Sequence, residues 1–160
     1  MGEIRLEWVP HGSEAWRRMV ALRHRVLREP LELCFSDEEL RQEAGQHHLV
    51  LWHGGLVGGT LLLAPAEARS VRLRQMAVAP EFHGQGLGRR LVEEAEAFLR
   101  ARATELVFLS AREGAIGFYE RLGYRTTGAF FMEVTLPHRR MEKRLADPCS
   151  RVPAAPSTQA

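Results

Sequence analysis

Cysteine is scarce in this chain of 160 residues: Cys34 and Cys149 are the only two. Two cysteines make neither a disulfide framework nor a sulfur-ligated metal set, and they fit a reducing compartment. Long apolar runs are missing too. No segment approaches a membrane span, and the first residues carry no stretch of signal-peptide type. No membrane association is expected, and a cytoplasmic location is. Net charge is small, +2 with histidines neutral, which argues against nucleic acid as a partner. Lysine is nearly absent, with Lys143 alone, a bias that reads as coding composition before function. His47, His48 and His53 lack a metal-ligand spacing, and adjacent strand residues face opposite sides. No metal is expected. Cys34 reads as a small buried apolar residue rather than a nucleophile.

What is present describes an ordinary folded domain, with 45% hydrophobic and 26% charged residues. A chain of this length suits one domain that buries roughly 70% of its unfolded surface. We assign it to residues 1–146, and residues 147–160, rich in Pro, Ala and Ser, to a disordered tail. There are no internal repeats. Strands are predicted at residues 4–9, 48–52, 56–63, 71–78 and 106–110, with His53-Gly54-Gly55 as a hairpin turn. Further strands are expected at residues 124–127 and around 139–145. Helices are predicted from Ser13 to Leu27, from Ser36 or Asp37 to Ala44, over 87–102 and over 115–122. Trp8 and Trp16 read as core or edge packing.

The stretch from Arg74 to Leu91 carries most of the chemical information. An apolar strand ends at Val78, Pro80 turns the chain, and Gly84, Gly86 and Gly88 open an amphipathic helix. Such a loop turns backbone N–H groups toward one point, where the helix adds its unpaired donors and positive dipole end. The result is an anion cradle, with Arg89 and Arg90 in the first helical turn to screen a multiply charged ligand. A nucleotide-triphosphate loop is excluded, because Arg89-Arg90 stand where Lys followed by Ser or Thr is required. The dinucleotide fingerprint G-x-G-x-x-G fails as well, since Gly84-Gln85-Gly86-Leu87-Gly88 runs G-x-G-x-G in mid-chain.

A second motif sits downstream: Ala115-Ile-Gly-Phe-Tyr-Glu-Arg-Leu-Gly-Tyr124. The pairing of V-A-P-x-x-x-G-x-G-x-G with F-Y-E-R-L-G-Y resembles the GCN5-related N-acetyltransferase (GNAT) superfamily. The segment Glu133-Val-Thr-Leu-Pro-His-Arg-Arg-Met141 also resembles the E-x-G-I-P-H-x-x-M segment of its ElaA-like branch, with Thr135-Leu136 in place of Gly-Ile. The resemblance implies an α/β (α+β) GNAT fold: a mixed, mostly antiparallel twisted sheet of six to seven strands, helices on both faces, and central strands splayed near Val78. It implies an acetyltransferase that moves an acetyl group from acetyl-CoA to a primary amine, on a small molecule or a protein, by direct attack.

The same resemblance implies roles for individual residues. Met76, Ala77 and Val78 would offer strand-edge groups to the pantetheine amides, and a backbone N–H near Val78 would steady the developing oxyanion. His83, Gly84, Gln85, Gly86, Leu87, Gly88 and Arg89 would hold the pyrophosphate. His83 stands where the family usually has Arg or Gln. Tyr119 falls on the general-acid position; its other reading is a ring packed beside the cofactor that transfers no proton. A phenol of pKa ~10 can protonate a thiolate whose thiol has a pKa of roughly 8.5. Phe118 should face the core, and Tyr124 should stack in the sheet. Glu133 and His138 are the candidates for the base that takes the amine proton. Glu133 also reads as a solvated strand residue, and His138 as a ring bonded to a carbonyl at the Pro137 turn. Acceptor specificity is expected from the loops at 28–45 and 128–138. Glu32, Asp37, Glu38 and Glu39 there would either draw in a cationic acceptor or form a solvated helix face. A homodimer is expected from the family. The alternative to an enzyme is a catalytically weak acyl-CoA-binding sensor.

Overall fold

In the computed structural model, residues 2–145 are described. Cys149 and the expected tail at 147–160 lie outside them. Seven strands form one sheet: β1 (Ile4–Val9), β2 (His47–His53), β3 (Leu56–Pro65), β4 (Ser70–Val78), β5 (Leu106–Arg112), β6 (Arg125–Glu133) and β7 (Leu136–Arg144). Their spatial order is β1-β2-β3-β4-β5-β7-β6. Every neighbouring pair is antiparallel except β4 and β5, which run parallel. A parallel pair needs a crossover, and a helix supplies it. The helices are α1 (Glu14–Arg23), α2 (Asp37–Gln42), α3 (Leu87–Arg100) and α4 (Ile116–Arg121). The mixed, mostly antiparallel α/β architecture expected from the resemblance is the one observed.

Both faces of the sheet are covered because both carry apolar side chains. On one face α3 lays down Leu87, Leu91, Val92, Ala95 and Leu99, a stripe of helical period. The stripe packs on Leu49, Leu51, Leu61, Leu63, Val71 and Leu73, and α4 adds Tyr119 to the same core. Gly59 lets the helix approach, since a Cβ there would lie 2.8 Å from Leu91 Cδ1. On the other face Met19 of α1 joins Val9, Val50, Trp52 and Leu62. Trp8 stacks on Phe98 at 4.1 Å between ring centres, which is packing, as expected.

Three expectations need correction. The helix begun at Ser13 does not stay α-helical to Leu27. It ends at Arg23 and continues as a wider π-type turn over His24–Arg28. β6 runs far beyond the expected 124–127 and β7 begins three residues before the expected 139, so region 128–138 is mostly strand rather than loop. Their turn is Val134-Thr135, with φ of 48° and 64°. β-branched residues in left-handed geometry carry none of the Asn-Gly signal of such hairpins. Exposed Phe130 and Met132 further blur the alternation. Cys34 is exposed, not buried, because it lies in the irregular segment between Leu31 and α2.

Candidate active site

The parallel pairing of β4 and β5 is brief: Ser70, Val71 and Arg72 meet Leu106, Val107 and Phe108. Beyond Arg72 the two strands part, well before the expected point near Val78. A β-bulge drives the divergence. The register between β3 and β4 shifts between Thr60 and Leu62, and Gln75 takes φ 53°. Bulges bend a strand and re-aim its side chains. The buried Thr60 hydroxyl donates to the Gln75 carbonyl at 3.2 Å, fixing the bend. On its β5 side, β4 from Leu73 to Val78 has no strand partner.

A cavity of about 330 Å³ occupies the gap. Leu73 and Leu109 line it together with Arg72, Arg74 and Ser110, residues of both pleat faces. The cavity therefore passes through the sheet rather than lying on it. Met76, Tyr119, Glu133 and His138, all singled out in the sequence, line this one space.

Past the end of β4, Ala79 N–H donates to the Gly58 carbonyl and a 3-10 turn covers Pro80–Phe82. Gly84 and Gly86 follow with φ of 79° and 74°, and nothing lies within 4 Å of a Cβ built on either. Gly86 caps α3, whose first internal bond is Arg90 N–H to Gly86 O at 3.2 Å. The amides of Leu87, Gly88 and Arg89 come before it and have no helical acceptor. Gly88 fits under the Phe118 ring, which a Cβ would meet at 3.1 Å. Phe118 thereby faces the core, half-buried, as expected. The polar side chains of the loop have protein partners. His83 Nε2–H donates to the Val78 carbonyl at 3.0 Å, Gln85 Oε1 is 3.1 Å from His53 Nε2, and Arg89 Nε donates to Glu93 at 2.7 Å. Backbone amides are what the loop leaves free.

Tyr119 is buried, and burial alone pushes its phenol well above the ordinary value. Tyr124 is buried beside it, and its hydroxyl donates to Glu96 at 2.9 Å. That carboxylate also takes a 2.8 Å bond from Lys143, so Tyr124 ties α3 to the sheet. Glu133 is half-buried rather than solvated. It accepts from Arg72 Nη2 at 3.0 Å, and its other oxygen lies 3.8 Å from His138 Nε2. The latter spacing is too long for a direct hydrogen bond. His138 is buried, and its Nδ1–H donates to the Leu136 carbonyl at 2.9 Å, which leaves Nε2 as the basic nitrogen.

The sequence reading missed the arginines. Arg28, Arg72, Arg74 and Arg112 line the cavity against only Glu39 and Glu133. A signal was present: Arg72 and Arg74 alternate with Val71 and Leu73 on a strand that precedes the glycine loop, where a central strand normally reads apolar. Asp37 and Glu38 are exposed, while Glu39 closes the capping box of α2 with Ser36 and lies 3.4 Å from Arg28. The acidic segment is thus largely a helix cap and solvated face.

Residues 44–126, more than half of the chain, match the family model described as Acetyltransferase (GNAT) domain. The chain belongs to the GNAT family. Among relatives of this GNAT chain, the uncharacterized N-acetyltransferase YitI of Bacillus subtilis is 30% identical over 118 residues, 69% of this chain and 78% of its own length. The uncharacterized N-acetyltransferase CT2212 of Chlorobaculum tepidum is 37% identical over 71 residues, 44% of each chain. A crystal structure of an N-acetyltransferase-type protein from Lactobacillus plantarum superposes with a TM-score of 0.79 at 25% identity, covering 89% of this chain and 99% of the other. Escherichia coli ElaA superposes at 0.76 with 16% identity, covering 88% and 99%, which is a likeness of fold. The GNAT chain is thus an acyl-CoA-dependent acyltransferase, which favours the enzyme over the sensor. Among the described residues no helix is long and apolar enough to cross a membrane, and no cluster of His, Cys, Asp and Glu is arranged to hold a metal.

Proposed function

We propose that this acyltransferase moves an acetyl group from acetyl-CoA to a primary amine bound in the splayed cavity. One observation carries the reading: Met76, Tyr119, Glu133 and His138 converge on one space that opens through the sheet where β4 lacks a partner. The chain's own geometry suits the donor. The unpaired edge of Met76, Ala77 and Val78 fits an extended amide-bearing arm. The open positive-φ positions Gly84 and Gly86, with the amides of Leu87, Gly88 and Arg89, fit a pyrophosphate. His83 and Gln85 would shape this loop through their protein partners more than they would bring charge.

When bound, acetyl-CoA supplies the activated acyl carbon; the amine nitrogen forms the C–N bond as the C–S bond breaks, and CoA leaves as the thiol. Tyr119 holds its proton in the resting site, gives it to the departing sulfur, and takes back a proton through the cavity before the next turnover. Burial makes the phenol a weaker acid than in water, and dry surroundings act in the same direction on a thiol beside it. Glu133 and His138 Nε2 stand ready to take the proton that the amine must lose, and Arg72 positions Glu133. A cytoplasmic location and a homodimer belong to the same proposal.

The test is free-thiol release from acetyl-CoA with a panel of amino acids, amines, polyamines and lysine peptides. Acceptor-dependent release with an acetylated amine as product supports the reading. Release that no amine accelerates, with hydrolysis or O-acetylation instead, would overturn it.

A further inference from the structure

The cavity holds more positive charge than its own carboxylates neutralise. Arg72 is paired with Glu133 at 3.0 Å and Arg28 with Glu39 at 3.4 Å. Arg74 and Arg112 have no carboxylate within ion-pair distance among the described residues, although both line the cavity. Each is half-buried and uses one donor on a neutral acceptor. Arg74 reaches Gln46 Oε1 at 3.0 Å, and Arg112 reaches the Leu27 carbonyl at 2.8 Å. A guanidinium has five N–H donors in a planar fork, so both keep unused donors in a partly dry site. Such charges are costly unless something pairs with them. Burial first, then the neighbouring charges of Arg72 and Arg28 respectively, weigh against the charged forms of Arg74 and Arg112, with Glu43 and Glu133 pulling Arg74 the other way from beyond ion-pair distance.

Resting on the acetyltransferase reading above, we infer that Arg74 and Arg112 are the anion-recognising groups of the acceptor cavity. The acceptor is then a small primary amine that also carries an oxyanion, a carboxylate foremost, and not a polyamine or a lysine side chain. The cavity size agrees, since about 330 Å³ lies at the small end of ligand pockets. The cavity lining carries both kinds of group that such a molecule needs: Glu133 and His138 for the amine, Arg74 and Arg112 for the acid.

The experiment uses matched acceptor pairs that differ only in the anion: β-alanine against its amide, γ-aminobutyrate against its amide, phosphoethanolamine against ethanolamine, with putrescine and a lysine peptide as cationic comparators. Thiol release should favour the anionic member of a pair by on the order of 10-fold or more in kcat/KM, since a charge-assisted hydrogen bond contributes about 1.5–3 kcal/mol. The phosphate pair tells a phosphate-bearing acceptor from a carboxylate-bearing one. Arg74→Gln should raise KM for the anionic amine roughly 10- to 100-fold and change KM for its uncharged-tail partner far less, so that the preference between them collapses. Arg74→Lys should recover part of the preference. The melting temperature of Arg74→Gln should stay level or rise, because an unpaired charge held for a ligand costs stability. A structural arginine would show the opposite.

Putrescine or lysine peptides as the best acceptors, or an unchanged preference in Arg74→Gln, overturns the inference. If no amine supports thiol release, the transfer reading fails by itself. The anion site is then judged by saturation-transfer NMR of β-alanine. Signals lost in Arg74→Gln uphold it, and their absence from the wild-type protein overturns it.

Discussion

Tyr119 joins two properties that pull in opposite directions, a buried ring and a hydroxyl at a cavity wall. Burial stabilises the neutral phenol, so the resting group holds its proton. Tyr119→Phe removes one oxygen from a site whose ring contacts with Phe118 and Tyr124 remain. The expected result is a kcat lowered roughly 100- to 10,000-fold, the range of a lost general acid, with acetyl-CoA affinity within about 2-fold. Stopped-flow turnover and calorimetric binding separate the two quantities. A kcat that does not move would leave Tyr119 as a wall residue only. Position 119 was legible in the sequence because F-Y-E-R-L-G-Y carries it. Arg74 was not, because nothing local says that an arginine on an apolar strand faces a hole in the sheet instead of a neighbouring carboxylate. Glu133 and His138 were legible only through a segment resemblance. What brings them together is the register Phe131↔His138 and Glu133↔Leu136, a long-range fact.

At the scale of elements, the decisive unit is the bulged β4, the glycine loop and the start of α3. Local chemistry sets the loop and the helix, and both were readable: a proline turn, glycines at positive φ, then an apolar stripe of period 3.6. The splay was not readable in its position, because it arises from a two-against-one mismatch between β4 and β3 at Gln75. The mismatch carries no glycine or proline to announce it. The π-type turn over His24–Arg28 was hidden in the same way. Its Leu27 carbonyl is taken by Arg112 from β5, a partner 85 positions away in the chain. A test of the loop follows from its geometry. Gly86→Glu places a charged side chain where φ is 74° and directly at the amide donors of α3. Acetyl-CoA affinity should fall by on the order of 100-fold or more, through lost charge-assisted bonds and like-charge repulsion. Gly86→Ala is the control, since it brings only about 1–2 kcal/mol of backbone strain and no charge. Equal losses in both variants would assign the effect to strain and move the cradle elsewhere.

For the whole molecule, one buried polar cluster supports the part of the chain that carries Glu39 to the cavity. Arg23 of α1 and Glu43 just after α2 form a bidentate ion pair at 2.8 and 2.7 Å, both side chains buried. Breaking one partner of such a pair strands the other charge, so the pair fixes α1 against the α2 segment that carries Glu39 to the cavity. His48 packs below it, fully buried, with Nε2–H donating to the Glu43 carbonyl at 3.1 Å and Nδ1 without a partner. Burial holds the His48 pKa below its ordinary value, despite the opposing pull of Glu43, and His47 is shifted the same way by burial and Arg102. The unfolded chain therefore takes up protons below pH ~6.5 that the folded chain refuses. With more protons bound in the unfolded state, stability is held above that pH and lost as pH falls toward the folded values, by up to about 1.4 kcal/mol per pH unit for each group. Tyr119 and Tyr124, both shifted upward, bring the complementary loss above pH ~10. Denaturant titrations between pH 7 and pH 5 should therefore show falling stability in the wild-type protein. His48→Gln keeps a donor for the Glu43 carbonyl and removes the titration, so its profile should be flatter over the same interval. A slope identical to wild type would place the acid sensitivity outside this cluster.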